Sequence, residues 1–97
     1  MDITLLYFDS CPNWKQTDAD LASLASESNL TVTHQTVETI EEAEVWQFRG
    51  SPTILVDGVD PFARPTDPYG LSCRIYTTPQ GPAGAPTIDM LRSALSS

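Results

Sequence analysis

The segment that most constrains the fold is the first apolar run, Ile3 to Phe8. It reads Ile-Thr-Leu-Leu-Tyr-Phe, a β-branched and aromatic sequence that is mostly apolar at both alternating sets of positions. A strand with apolar residues on both faces is typical of a sheet that is covered on both sides. We therefore predict a central strand whose sheet carries helices on both faces.

The rest of the chain alternates between helical and strand patterns. Apolar residues at helical spacing predict three helices, over 13–28, from 40 onward and from 88 onward. Thr39 and Thr87 are the predicted caps of the second and third helices. Composition rich in β-branched residues predicts three more strands, over 31–37, 53–56 and 73–78. Proline- and glycine-rich loops are predicted over 58–72 and 79–86.

The predicted element order is β-α-β-α-β-β-α, which belongs to the α/β class, in a single domain spanning residues 1–97. A right-handed crossover makes the first two strands parallel, and we expect the third strand to run parallel beside the first. The third and fourth strands are expected to pair as an antiparallel hairpin. The result is a mixed four-stranded sheet with helices on both faces.

Charge and composition argue against several function classes. Thirteen acidic residues against five basic ones give a net charge of −8, which opposes binding to nucleic acid and to anionic membranes. The apolar runs are far shorter than the ~18 residues of a membrane span, and Asp2 stands where a signal peptide carries positive charge. We therefore expect a cytoplasmic protein with no nucleic-acid and no membrane partner.

The two cysteines, Cys11 and Cys73, are too few for a secreted disulfide scaffold and too far apart for a local zinc site. Cys11 precedes Pro12 at the predicted start of the first helix, where unpaired amides and the helix dipole favour a thiolate. Cys11 is therefore the predicted catalytic residue. A small, partly buried cysteine without reactivity is the alternative. No carboxylate pair has metal-ligand spacing around the single histidine, so we expect no metal and no cofactor.

Two motifs of the chain resemble those of thioredoxin-like proteins. They are Tyr7-Phe8-Asp9-Ser10-Cys11-Pro12 at the strand-to-helix turn and Ser51-Pro52-Thr53 before the third strand. The resemblance implies a cis bond before Pro52 and a groove in which the backbone of Ser51 pairs with an extended substrate chain. The substrate-binding residues that it implies are Pro12, Trp14, Ser51, Pro52 and Thr53.

The chain departs from this family at Trp14. Thioredoxins carry a second cysteine three residues after the first, and that cysteine releases the substrate from the mixed disulfide. In keeping only the first cysteine the chain is similar to monothiol glutaredoxins, although the sequence shows no basic cluster for the carboxylates of glutathione. The resemblance implies weak exchange through Cys11 with a protein or a low-molecular-weight thiol or disulfide. Two alternatives stay open: a non-catalytic binding module of the same fold, and a thiol-based protein that handles metals or organomercurials.

Cys73 is the possible second thiol. A simple hairpin places it at the start of the fourth strand, ~16 Å from the predicted site, whereas a disulfide needs Cα atoms within ~7 Å. We therefore expect a plain buried cysteine that is less reactive than Cys11. The alternative is that the 58–72 loop folds back and delivers Cys73 to Cys11.

Trp14 also has two interpretations, as a core residue under the first helix or as a wall of the substrate surface.

Overall fold

The structure is a computed structural model that describes residues 1–64 and 67–95. Its elements are β1 (Asp2–Tyr7), α1 (Trp14–Glu27), β2 (Thr31–Thr36), α2 (Ile40–Trp46), β3 (Thr53–Val56), β4 (Tyr76–Thr78), β5 (Gly81–Ala83) and α3 (Ile88–Leu95). The predicted mixed α/β architecture with three helices is confirmed. Within the described ranges, every helix is too short or too polar to span a membrane.

β1 is the central strand of a three-stranded mixed sheet with the order β2-β1-β3. β2 runs parallel to it, with Ile3 beside Val32. Alternate residues of β1 face opposite sides of the sheet. Ile3 and Leu5 pack with α1 and α3 on one side, and Leu6 packs with Ala43 of α2 on the other. The prediction of a central strand with helices on both faces of its sheet is therefore confirmed.

β3 runs antiparallel to β1, with Leu6 paired to Thr53 and Ile3 paired to Val56, so the prediction of a parallel third strand is wrong. The physical reason is the length of α2. Its seven residues span about 10 Å, whereas the six residues of β2 span about 20 Å. The helix alone does not return the chain to the edge where β1 begins, and the segment after it stays at the opposite edge, where the Phe8 amide donates to Ser51 Oγ. The chain therefore enters β3 at the edge where β2 ends, and β3 runs back.

β4 and β5 form a separate two-stranded antiparallel sheet, so the prediction of one four-stranded sheet is also wrong. The strand predicted over 73–78 is reduced to three residues, and the loop predicted over 79–86 contains β5. Thr78 pairs with Gly81, so a tight turn joins the two strands. In this local hairpin β4 pairs with β5 and not with β3. The segment before β4 therefore does not have to run alongside β3.

The helix caps follow the sequence. Thr39 Oγ1 accepts a hydrogen bond from the Glu42 amide at 3.1 Å, and Thr87 Oγ1 accepts one from the Met90 amide at 3.1 Å. Both contacts satisfy a first-turn amide that has no partner inside its helix. The predicted 58–72 loop contains no helix and no extended strand in its described part, while its positions 65 and 66 lie outside the described residues.

Candidate functional site

The two cysteines form a disulfide, Cys11–Cys73, with Cα atoms 5.9 Å apart. The expectation of an unpaired, buried Cys73 remote from Cys11 is therefore wrong. The bond joins residues 62 apart in sequence, and it links the turn after β1 to the segment that precedes β4. Because β4 pairs with β5 instead of β3, the 58–72 loop returns this segment to the edge of the sheet where β3 begins.

The two cysteines differ in exposure, and the expectation of a buried Cys73 is wrong. Cys11 is completely buried, whereas Cys73 is exposed. The Cys11 Sγ atom lies 3.7 Å from the carbonyl oxygen of Ser51. The predicted greater reactivity of Cys11 rested on its position at the start of the first helix. It stays a prediction, and the complete burial of Cys11 argues against it.

The Ser51–Pro52 bond is cis, in agreement with the resemblance-based expectation. Ser51, Pro52 and Thr53 are all buried, and the Thr53 hydroxyl donates to the Gly50 carbonyl at 2.6 Å. In this disulfide-bonded form the three residues therefore have little surface to offer to a substrate. Their role in substrate binding stays a prediction.

The carbonyl of Pro52 accepts a hydrogen bond from a side chain of β4. The hydroxyl of Tyr76 donates to this oxygen at 2.6 Å, inside the protein. Burial raises the pKa of Tyr76 well above its ordinary value, and the positive charge of Arg74 offsets only part of that effect. The hydroxyl therefore keeps its proton and remains a donor to Pro52.

The chain's own segment 72–74 pairs with the backbone of Ser51. The Ser51 amide donates to the Ser72 carbonyl at 2.8 Å, and the Arg74 amide donates to the Ser51 carbonyl at 3.0 Å. These bonds form a parallel bridge between Ser51 and Cys73. The backbone groups that were expected to pair with a substrate chain are therefore occupied within the protein.

Arg74 anchors the 72–74 segment. Its side chain is 6% exposed, that of its partner Asp60 is 3% exposed, and Arg74 Nη1 donates to Asp60 Oδ2 at 2.8 Å. Arg74 Nη2 donates to the Phe62 carbonyl at 2.8 Å, and the guanidinium lies 4.6 Å from the ring centroid of Tyr76. A buried ion pair needs such additional contacts to offset the loss of water. The anchor fixes the position of Cys73 next to it.

Cys73 lies in the wall of an open cleft of about 300 Å³. Arg49, Arg64 and Arg74 line the same cleft, and they are three of the five basic residues of the chain. The three arginines come from separate segments, so the basic cluster is not apparent in the sequence. The signal that could have revealed them is that three of the five basic residues fall between positions 49 and 74.

Trp14 packs into the core. Its ring stacks on that of Tyr7 with centroids 4.3 Å apart, and it contacts the apolar cluster between α1 and the sheet. It is absent from the described residues that line the cleft beside Cys73. These contacts favour the core interpretation of Trp14.

Pro12 is exposed next to Cys11, at the turn before α1.

Residues 1–64 and 67–95 hold no group of three or more His, Cys, Asp or Glu side chains placed to bind a metal ion. No protein-family model, no curated protein and no solved structure matches the chain. The functional conclusion therefore depends on the chemistry of the disulfide and its surroundings.

Proposed function

We propose that this protein is a thiol-disulfide exchange protein whose redox centre is the Cys11–Cys73 pair. The observation that carries the proposal is the placement of the bond, with Cys73 exposed in the wall of a cleft and Cys11 buried just before α1. A thiolate from solvent can reach a disulfide that has one exposed cysteine. In the exchange, two external thiols are oxidised to one disulfide, and the protein disulfide is reduced to two thiols.

A thioredoxin-like fold is part of the proposal. It is supported by the element order through β3, by the position of Cys11 between β1 and α1, and by the cis bond before Pro52. The carbonyl of Ser51 lies 3.7 Å from Cys11 Sγ, which fits the family pattern of a cis-proline facing the active-site cysteine. The departure is the second cysteine, which comes from Cys73 instead of from the position of Trp14.

Catalysed reduction of hydroxyethyl disulfide by dithiothreitol tests the proposal. The wild-type protein should release mercaptoethanol faster than the uncatalysed reaction, because each cycle opens and re-forms the Cys11–Cys73 bond. Cys73→Ser should abolish the acceleration. Ser26→Ala, on an exposed position of α1, should retain it. An uncatalysed rate in the presence of folded wild-type protein would contradict the proposal.

A non-catalytic binding module has less support. Such a module needs a groove in which a partner chain pairs with the Ser51 backbone, and those groups are bonded to the 72–74 segment. Trp14 stacks on Tyr7 and is only partly exposed, so it offers such a module little surface.

Handling of a soft metal ion or an organomercurial is a second candidate, because it requires two converging thiols. The cysteine Cα atoms are 5.9 Å apart, so both sulfurs of the reduced protein can bind one thiophilic ion. Titration of the reduced protein with mercuric ion should then consume both thiols with one equivalent. Equal affinity in wild type and Cys11→Ser would contradict this candidate.

A further inference from the structure

We propose that Cys73 is the sulfur at which exchange begins, and that the arginines beside it select small anionic thiols and disulfides. This inference rests on the proposed exchange function, and it adds the direction of attack and the class of substrate. Cys73 is exposed in the cleft wall, whereas Cys11 is completely buried. A thiolate that approaches from solvent therefore reaches Cys73 first, and Cys11 is the leaving group.

The cleft is positively charged on a strongly acidic protein. Its three arginines face two carboxylates, Asp67 in the lining and Asp60, which pairs with Arg74 and Arg49. Three guanidinium groups against two carboxylates leave a net positive charge, whereas the whole chain carries −8. An anionic molecule is therefore attracted to this cleft and repelled from most of the remaining surface.

Among the three arginines of the cleft, Arg64 has N–H groups available to bind a ligand. Arg74 and Arg49 both contact Asp60, at 2.8 and 3.6 Å. Arg64 is exposed, and its Nη2 donates to Thr77 Oγ1 at 2.8 Å. No carboxylate of the described residues forms an ion pair with its guanidinium. Because a guanidinium presents its remaining N–H groups in a fork that matches a carboxylate, Arg64 is assigned to the substrate anion.

Two features favour a small molecule over a protein chain. The backbone groups of Ser51 that would pair with an extended chain are bonded to the 72–74 segment. The cleft of about 300 Å³ lies at the small end of the range for ligand sites, about 300 to 1,000 Å³.

Charge also directs the anion to Cys73 instead of Cys11. A second cleft includes Ser10, the neighbour of Cys11 in sequence, and its lining contains Asp9 and Glu38 but no described basic residue. These carboxylates repel an anionic thiol from that side of the disulfide. The approach through the arginine-lined cleft is therefore the favoured one.

The steps balance with two equivalents of thiol. The first thiolate attacks Cys73 Sγ, a bond forms between the two sulfurs, the Cys11–Cys73 bond breaks, and the electron pair leaves on Cys11 Sγ. A second thiolate attacks the substrate sulfur of the mixed disulfide, which forms the substrate disulfide and releases Cys73 as a thiolate. The positive guanidinium groups favour that thiolate. In the reverse direction Cys73 attacks a substrate disulfide, and Cys11 then displaces the bound half.

The first test compares thiols of different charge on the oxidised full chain. Thioglycolate, mercaptoethanol and cysteamine are used at equal thiolate concentration, and rapid alkylation with mass spectrometry measures the loss of the protein disulfide. Arg64→Gln should slow thioglycolate about fivefold, the size of one contact charge pair in water, and should leave mercaptoethanol nearly unchanged. High salt should reduce the difference. The control Arg92→Gln, an exposed arginine paired with Glu27, should behave as wild type.

The second test locates the mixed disulfide. Cys11→Ser and Cys73→Ser each retain one thiol, and both react with the anionic disulfide dithionitrobenzoate, with circular dichroism as the check on folding. Cys73 in Cys11→Ser should react roughly tenfold faster, or more, than Cys11 in Cys73→Ser, since exposure and positive surroundings both favour it. Arg64→Gln keeps both cysteines, so the first test does not depend on the folding of these variants.

The outcomes separate this inference from the function on which it rests. Faster labelling of Cys11, or an equal effect of Arg64→Gln on anionic and neutral thiols, would overturn the inference and leave disulfide exchange standing. A disulfide that none of the three thiols opens in the folded protein would overturn both.

Discussion

Removal of the Cys11–Cys73 bond is expected to lower the free energy of unfolding by about 4 kcal/mol. The bond closes a loop of 62 residues, and the entropy that it removes from an unfolded chain of that length is about 14 cal/mol/K, which is about 4 kcal/mol at room temperature. The bonds between the 72–74 segment and Ser51, and the pair between Arg74 and Asp60, do not involve the sulfurs, so we expect them to persist in the folded variant. The effect is therefore expected to act mainly on the unfolded chain.

Urea unfolding followed by tryptophan fluorescence measures this difference. The oxidised wild type is compared with the double variant Cys11→Ser/Cys73→Ser, and circular dichroism serves as a second probe. Reduced wild-type protein is the control, and it should unfold like the double variant. A domain of this size is typically stable by about 5–15 kcal/mol, so the variant should remain folded. A difference below about 1 kcal/mol would refute the loop-closure reasoning.

Three further substitutions test the contacts that hold the site, and urea unfolding checks each. Tyr76→Phe leaves the buried carbonyl of Pro52 without its donor and should cost about 1–3 kcal/mol; an unchanged midpoint would contradict this contact. Asp60→Asn removes the charge that compensates the buried Arg74 and should cost about 3 kcal/mol; a neutral effect would show that the pair is solvated. Gly50→Ala places a methyl group 2.9 Å from a backbone oxygen of the segment before β4, at a φ of +111°. It should cost at least about 1 kcal/mol, and wild-type stability would be inconsistent with this close approach.

The elements that local chemistry determines were predictable from the sequence. The apolar run Ile3–Phe8 identified the central strand because both of its faces are buried. The hydroxyls of Thr39 and Thr87 identified two helix starts because each satisfies an amide of its own first turn. The placement of Cys11 between β1 and α1 follows from the same local patterns.

The contacts between distant segments were not predictable in the same way. The direction of β3 depends on the short α2 and on the course of the segment that follows it, and local sequence patterns do not specify that course. The position of Cys73 depends on where the 58–72 loop leads, and composition does not specify the path of a loop. Arg74 and Asp60 belong to residue types that are rarely buried, so their pairing under the site has no local signal.

Equilibration of the protein with thiol-disulfide buffers of graded potential tests the proposed redox role most directly. The fraction of the Cys11–Cys73 pair that is oxidised at each potential is measured by rapid alkylation and mass spectrometry. A pair that works in exchange should titrate above about −300 mV, toward the range of known exchange proteins. A bond that stays closed in the folded protein until the potential falls below about −300 mV would behave as a structural disulfide and would contradict the account.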